Sequence, residues 1–227
     1  MKGIIFDFNG TLYWDSQLHY DAWREFSKIL RGTEFTDAEM REKMFGHTNS
    51  DIIEYAIGKK PTPEMVEKYG KEKEALYRKR CLLDPKNFKL AKGAIEFLDY
   101  LKENNIPRTI ATMSEWDNVE FYIKEFHLEK WFDLDKIVYS NGKIPGKPAP
   151  DIFMIAAEKI GLETKDCIVI EDAIAGINSA KSAGIGKIIA IASLEPVEYY
   201  KKIDGLHSII KDFDEFDRNL FRTKTNV

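Results

Sequence analysis

Cysteine is scarce in this chain. Its two cysteines, Cys81 and Cys167, lie far apart and lack metal-type spacing, which excludes a disulfide framework and points to a reducing compartment. An excess of basic charge is missing too: 34 Lys and Arg against 38 Asp and Glu leave a net charge of -4, so nothing electrostatic favours nucleic acid or an anionic membrane surface as partner. Small molecules are the expected ligands. No apolar run reaches the length of a membrane span, and "MKGIIFD" has no long apolar segment of the secretory kind, so the expected location is cytoplasmic. Repeats and low-complexity tracts are absent as well. What is present is core-forming material. With 44% hydrophobic and 12% aromatic residues in 227, the chain can form one domain with an insertion, or two small ones.

Short apolar runs recur along the chain: "GIIFDF", "RTIATM", "KIVYS", "CIVIED" and "KIIAIA", the last four separated by segments of helical periodicity. That alternation predicts an α/β fold, a doubly wound parallel sheet covered by helices. Residues 16–86 interrupt it with helical pattern only, so the expected domains are a sheet core of 1–15 with 87–227 and an all-helical insert of 16–86. The first helix of the insert presents Leu18, Ala22, Trp23, Phe26, Ile29 and Leu30 as one stripe and stops at Gly32. "TDAE" at 36–39 is a capping box, and Thr62 followed by Pro63 is a second helix start. The chain returns to the sheet through "AIEFLDYLKENN", with Ile95, Leu98 and Leu101 on one face, and the tail "RTKTNV" is expected to fray.

Four signals fall at strand ends. Asp7 closes the first run, Thr112 and Ser114 close the second, Lys147 in "GKPAPDIF" follows the third, and Glu171 with Asp172 closes the fourth. Singly, each has a plain alternative: a turn cap, a β-branched strand residue, a solvated lysine, acids complementing a helix dipole. Together, in an open α/β sheet, they converge on the carboxyl edge of the strands, where such folds bind ligands.

These motifs, "DFNGT" at 7–11, Thr112, Lys147 in "GKPAPD" and "EDAIAGINSAKSAG" at 171–184, resemble the haloacid dehalogenase superfamily, in particular the β-phosphoglucomutase-like subgroup with a helical cap inserted after the first strand. The resemblance covers nearly the whole chain. It implies a Rossmann-like core, a small phosphorylated metabolite as substrate, and Mg²⁺ as cofactor. It also implies Asp7 as nucleophile, Thr112 and Lys147 as holders of the phosphoryl group, and Asp7, the Asn9 carbonyl, Glu171 and Asp172 around the metal. A carboxylate approaching a phosphate dianion needs such a hard cation and a fixed ammonium to offset like charge. The product of attack is an aspartyl phosphate on Asp7, with the backbone amides near Phe8 and Asn9 cradling the phosphoryl oxygens.

Position 9 departs from the family pattern, which has Asp there. Asn keeps the backbone carbonyl but cannot exchange a proton, and general acid–base help is worth roughly 10²- to 10⁴-fold per step. Slowed turnover is therefore expected, with acyl and aryl phosphates least affected. A natural variant in a weak phosphatase, an engineered trap and a catalytically silent phosphate-ligand binder are the competing readings of Asn9. Asn9-Gly10 is also a deamidation-prone pair that an ordered turn would protect.

On the insert, His19 and Trp23 of "HYDAW" stand at the spacing of the subgroup's cap helix, His19 as a proton-handling residue or a surface histidine, Trp23 as a core residue. The subgroup's phosphate-gripping cap arginine is replaced by Asn49, and Lys73 is the candidate to retain a similar position. This loss favours a hydrolase over a phosphomutase. The phosphonate-cleaving reading lacks its cap lysine, and the dehalogenase reading has no use for the acidic metal motif. Trp14 and Asp15 fall at the expected hinge, and Ser114 is read as an anion contact or a helix N-cap. No exposed apolar stripe demands a partner, so a monomer is expected.

Overall fold

The computed structural model describes residues 2–44 and 48–221; the tail expected to fray, 222–227, lies outside them. After β1 (Gly3–Phe6) come four helices, α1 (Ser16–Arg31), α2 (Asp37–Lys43), α3 (Asn49–Ile57) and α4 (Pro63–Leu83). The chain then alternates: α5 (Ala94–Glu103), β2 (Arg108–Glu115), α6 (Trp116–Phe126), β3 (Val138–Ser140), α7 (Asp151–Lys159), β4 (Cys167–Glu171), α8 (Ile174–Ser182), β5 (Lys187–Ile191), α9 (Val197–Tyr200) and β6 (Ser208–Ile210). Two compact units result, residues 15–89 and the remainder of the chain. Among the described residues no helix is long and apolar enough to cross a membrane.

The larger unit is a six-stranded sheet in the order β3-β2-β1-β4-β5-β6, every pairing parallel. β1 lies between β2 and β4, in register Phe6 to Ile110 and to Ile170. All four of its residues are buried, as a two-face-covered strand requires, and the run "GIIF" supplies only apolar or absent side chains. One face packs Ile5, Val169 and Ile188 against Phe153, Ala156 and Ile177. β6 has only three residues, "SII", too short for periodicity to reveal, and the sequence reading did not anticipate it.

In the smaller unit Trp23 and Phe26 of α1 form a core with Phe35, Met40, Ile52, Ile53 and Ala56. Thr36 and Glu39 make the expected capping box, and Thr62 caps α4 ahead of Pro63. Two positions on the expected stripes are corrected. Ile29 and Ile95 are exposed at 66% and 49%, because each lies about a quarter-turn from the centre of its helix's buried face. Ser27 takes an inner place on α1 instead, since its hydroxyl donates to the Arg24 carbonyl and accepts the Phe35 N–H, leaving no polar atom stranded.

Candidate active site

A parallel sheet sends every strand's carboxyl end to the same edge, and in the larger unit this edge collects the polar residues flagged by sequence. Asp7 stands directly after β1, 7% exposed, its N–H donating to the Ile170 carbonyl. Lys147, in the β3–α7 connection, reaches Asp7 Oδ1 at 2.6 Å and Glu171 Oε1 at 2.7 Å, with the Ala111 carbonyl at 3.3 Å. Burial alone would depress this lysine, but the charges of Asp7 and Glu171 outweigh it and hold the ammonium protonated above the ordinary lysine range. Glu171 turns its other oxygen to the Ala173 N–H at 2.8 Å, so both of its oxygens are engaged at the turn from β4 to α8. Gly176 is required one helical turn on: a Cβ there would sit 1.7 Å from Glu171 Oε1.

Asp172 accepts from the Thr11 hydroxyl at 3.2 Å. Burial first, then the neighbouring charges of Glu171 and Asp7, push its carboxyl well above the usual range. Gly10, at φ 80°, leaves the space this carboxylate fills; a Cβ would fall 2.1 Å from Oδ2. The Ser193 hydroxyl, beyond β5, donates to the Gly10 carbonyl, and Tyr200 donates to the Asp172 carbonyl at 2.7 Å.

Asn9 is engaged at both ends of its amide. Its Nδ2 donates to Tyr122 Oη at 2.8 Å, while its Oδ1 accepts from Ser114 Oγ at 2.7 Å and faces Thr112 Oγ1 at 3.4 Å. Ser114 is thus not the N-cap that was one of its two readings: Glu115 occupies the N-cap of α6, and the Ser114 hydroxyl goes to Asn9 because β2 carries it to the sheet edge before the helix starts. Tyr122, Thr11 and Ser193 were not anticipated. Tyr122 reads in sequence as an apolar position of α6, and only the fold brings it to Asn9.

The residues flagged on the insert belong to the smaller unit. Lys73, 2% exposed, places its Nζ 2.8 Å from both His19 Nδ1 and Glu74 Oε1 and over the rings of Trp23 and Tyr77. His19 stacks on Tyr77 at 3.8 Å with its Nε2 3.4 Å from Asp15, to which Tyr77 also donates. Asn49 opens α3 beside Gly70 of α4, 3.7 Å from where a Cβ on that glycine would stand. In the larger unit Trp14 donates its indole N–H to the Thr11 carbonyl.

A family model for haloacid dehalogenase-like hydrolases matches residues 1–184. The chain belongs to this family. A solved haloacid dehalogenase hydrolase of family IA, variant 3, from Entamoeba histolytica superposes on this hydrolase with a TM-score of 0.91 at 43% identity, covering 97% of each chain. A probable pseudouridine-5'-phosphatase of Drosophila melanogaster is 31% identical over 80% of this chain and 78% of its own. The β-phosphoglucomutase of Bacillus subtilis is 29% identical over 82% and 81%.

Three carboxylates, Asp7, Glu171 and Asp172, share the buried edge of this hydrolase with one lysine. Among the described residues no group of three or more His, Cys, Asp or Glu side chains is arranged to hold a metal by itself. The donors still fit a small hard cation. Mg²⁺ keeps several waters and takes one or two carboxylates, and the carboxylates of Asp7 and Asp172 stand close enough to the charge of Glu171 for a cation to relieve their mutual repulsion.

Proposed function

We propose that this hydrolase is a Mg²⁺-dependent phosphatase of small phosphorylated metabolites that works through an aspartyl phosphate on Asp7. The observation that carries this reading is the Lys147 bridge, an ammonium held by Asp7 and Glu171 at the ends of adjacent strands. Asp7, the Asn9 carbonyl and Asp172 would hold the metal, with Glu171 orienting Lys147 beside it. Bound there, Mg²⁺ supplies charge neutralisation for the transferred phosphoryl group.

Asp7 attacks phosphorus, the new oxygen–phosphorus bond forms as the ester bond breaks, and the alcohol leaves. Lys147, 2.6 Å from Asp7 Oδ1, adds a fixed positive charge where negative charge moves outward. Thr112 donates its hydroxyl to a phosphoryl oxygen. Asn9 cannot protonate the leaving oxygen, so solvent supplies that proton, and substrates with stable leaving groups react fastest. Water then attacks the aspartyl phosphate, releasing inorganic phosphate and restoring Asp7. On the smaller unit His19 and Asn49 are the proposed substrate contacts, with Lys73 Nζ holding the His19 ring. The protein acts as a monomer in the cytoplasm, the location being supported by its two free cysteines.

The test is phosphate release with Mg²⁺ from p-nitrophenyl phosphate, acetyl phosphate and a sugar-phosphate panel, using Asp7→Asn as blank. Turnover above the blank is expected, with a gain of about a hundredfold for Asn9→Asp. No release by either protein on any substrate overturns the phosphatase reading, and activity that depends on added bisphosphate replaces it with a mutase.

A further inference from the structure

Asn9 and Tyr122 are 113 positions apart in sequence and both belong to the larger unit, where α6 delivers the Tyr122 hydroxyl to the Asn9 amide nitrogen at 2.8 Å. Tyr122 is 1% exposed, and its ring stacks on Phe8, the neighbour of Asn9, with centroids 4.4 Å apart. The ring is packed further against Tyr13 and Phe126. So confined a hydroxyl is a fixed partner rather than an adaptable one.

The opposite end of the Asn9 side chain is fixed by β2. Ser114 Oγ donates to Asn9 Oδ1 at 2.7 Å. Thr112 Oγ1 accepts the Ser114 N–H at 3.1 Å, and its own proton can turn to Asn9 Oδ1, 3.4 Å away, or to a phosphoryl oxygen. Hydroxyl donors therefore meet the oxygen of the amide, and the Tyr122 oxygen meets its N–H. An amide satisfies both ends at once because it is donor and acceptor in one group. A carboxylate has no donor, so Tyr122 would have to reverse its hydrogen bond.

We propose that Tyr122 is a positioning residue that, with Ser114, holds the Asn9 side chain in one orientation. The same hold opposes loss of the amide. Deamidation needs the Gly10 nitrogen to attack Asn9 Cγ and expel ammonia, after which water opens the imide to Asp or isoAsp. That nitrogen is tied to the Tyr13 carbonyl at 2.7 Å, and Cγ is anchored on both sides.

The kinetic part of the proposal rests on the phosphatase reading; the amide part does not. The experiment compares the protein as it stands with Tyr122→Phe, Ser114→Ala, Asn9→Asp and Asn9→Asp with Tyr122→Phe. Phe retains the stack on Phe8, and thermal melts check that each variant folds. Release of either anchor should speed exchange of the Asn9 side-chain amide protons, assigned by their disappearance in Asn9→Asp, by about fivefold or more, the scale of one hydrogen bond. It should also hasten the mass gain of deamidation on ageing. On p-nitrophenyl phosphate, Tyr122→Phe should lower kcat by about fivefold with KM held within about twofold, and lose most of that effect when position 9 is Asp. Unchanged amide exchange and unchanged ageing in both anchor variants overturn the proposal whatever the turnover. An equal fall in kcat in both backgrounds also overturns it, since it reduces Tyr122 to a packing residue. If no variant turns over, the phosphatase reading fails and amide exchange alone decides the positioning role.

Discussion

Each unit of the chain buries a lysine, and the two lysines are treated differently. Lys147 in the sheet unit stands between Asp7 and Glu171 with Asp172 close by, so negative charge outnumbers it. Lys73 in the helical unit meets one carboxylate, Glu74, which keeps 16% of its side chain in solvent, and shares its remaining contacts with the His19 ring nitrogen and two aromatic faces. The second arrangement is close to neutral and satisfies itself. The first carries surplus charge that water cannot screen, an arrangement that stability alone does not favour and that a cation and a phosphoryl group would complete.

The sharpest way to break this contrast is Asp7→Asn. It should reduce phosphate release by about 10³-fold or more, as removal of a nucleophile does, while leaving the fold intact; retained turnover would show that the charged cluster is structural. Next in size are the lysines themselves. Lys147→Met should cost about 3–5 kcal/mol in denaturant melts because two buried carboxylates lose their partner. Lys73→Met should cost only about 1–2 kcal/mol, since Glu74 can turn to water, and equal losses would erase the distinction.

Mg²⁺ should act on the sheet unit. At about 100 times its Kd it should stabilise the protein by about 2.7 kcal/mol in thermal melts. This gain should vanish in Asp172→Asn; if it survives, Asp172 is not a ligand.

The smallest effect belongs to the helical unit. Arg31 donates to Glu39 through two nitrogens at 2.7 and 2.9 Å, and with the Thr36 N–H and the Tyr55 hydroxyl it holds the Glu39 carboxyl far below its ordinary value of 4.5. A depressed folded value means that the stabilisation is present above pH 4.5 and is lost as pH falls below it. Glu39→Gln should therefore cost about 1 kcal/mol at neutral pH. It should also flatten the acid limb of the stability curve, and an unchanged limb would remove Glu39 as its source.

Several elements were legible before any fold was known. The capping boxes and strand ends are short-range chemistry: Thr36 finds Glu39 three residues on, and Asp7 follows its own strand. The helix stripes were legible only in outline. Leu98, Leu101, Trp23 and Phe26 are buried as expected, yet Ile29 and Ile95 are not, because the width of a buried face depends on what packs against it. Thr48 with Asp51 forms a capping box that the reading passed over, although the same spacing rule reveals it.

By itself the sequence determined the alternation of strands with helices, the helical insert, and the acidic and basic residues at strand ends. These follow from hydrophobic period and near-neighbour hydrogen bonding, which act over a few residues. Only the tertiary structure decided that Ser114 serves Asn9 rather than α6, that Tyr122 holds the other end of that amide, and that Lys73 is buried against His19. Those meetings join residues 54 to 113 positions apart, and no local pattern can encode them, because a side chain's partner across such a distance is chosen by how whole elements pack.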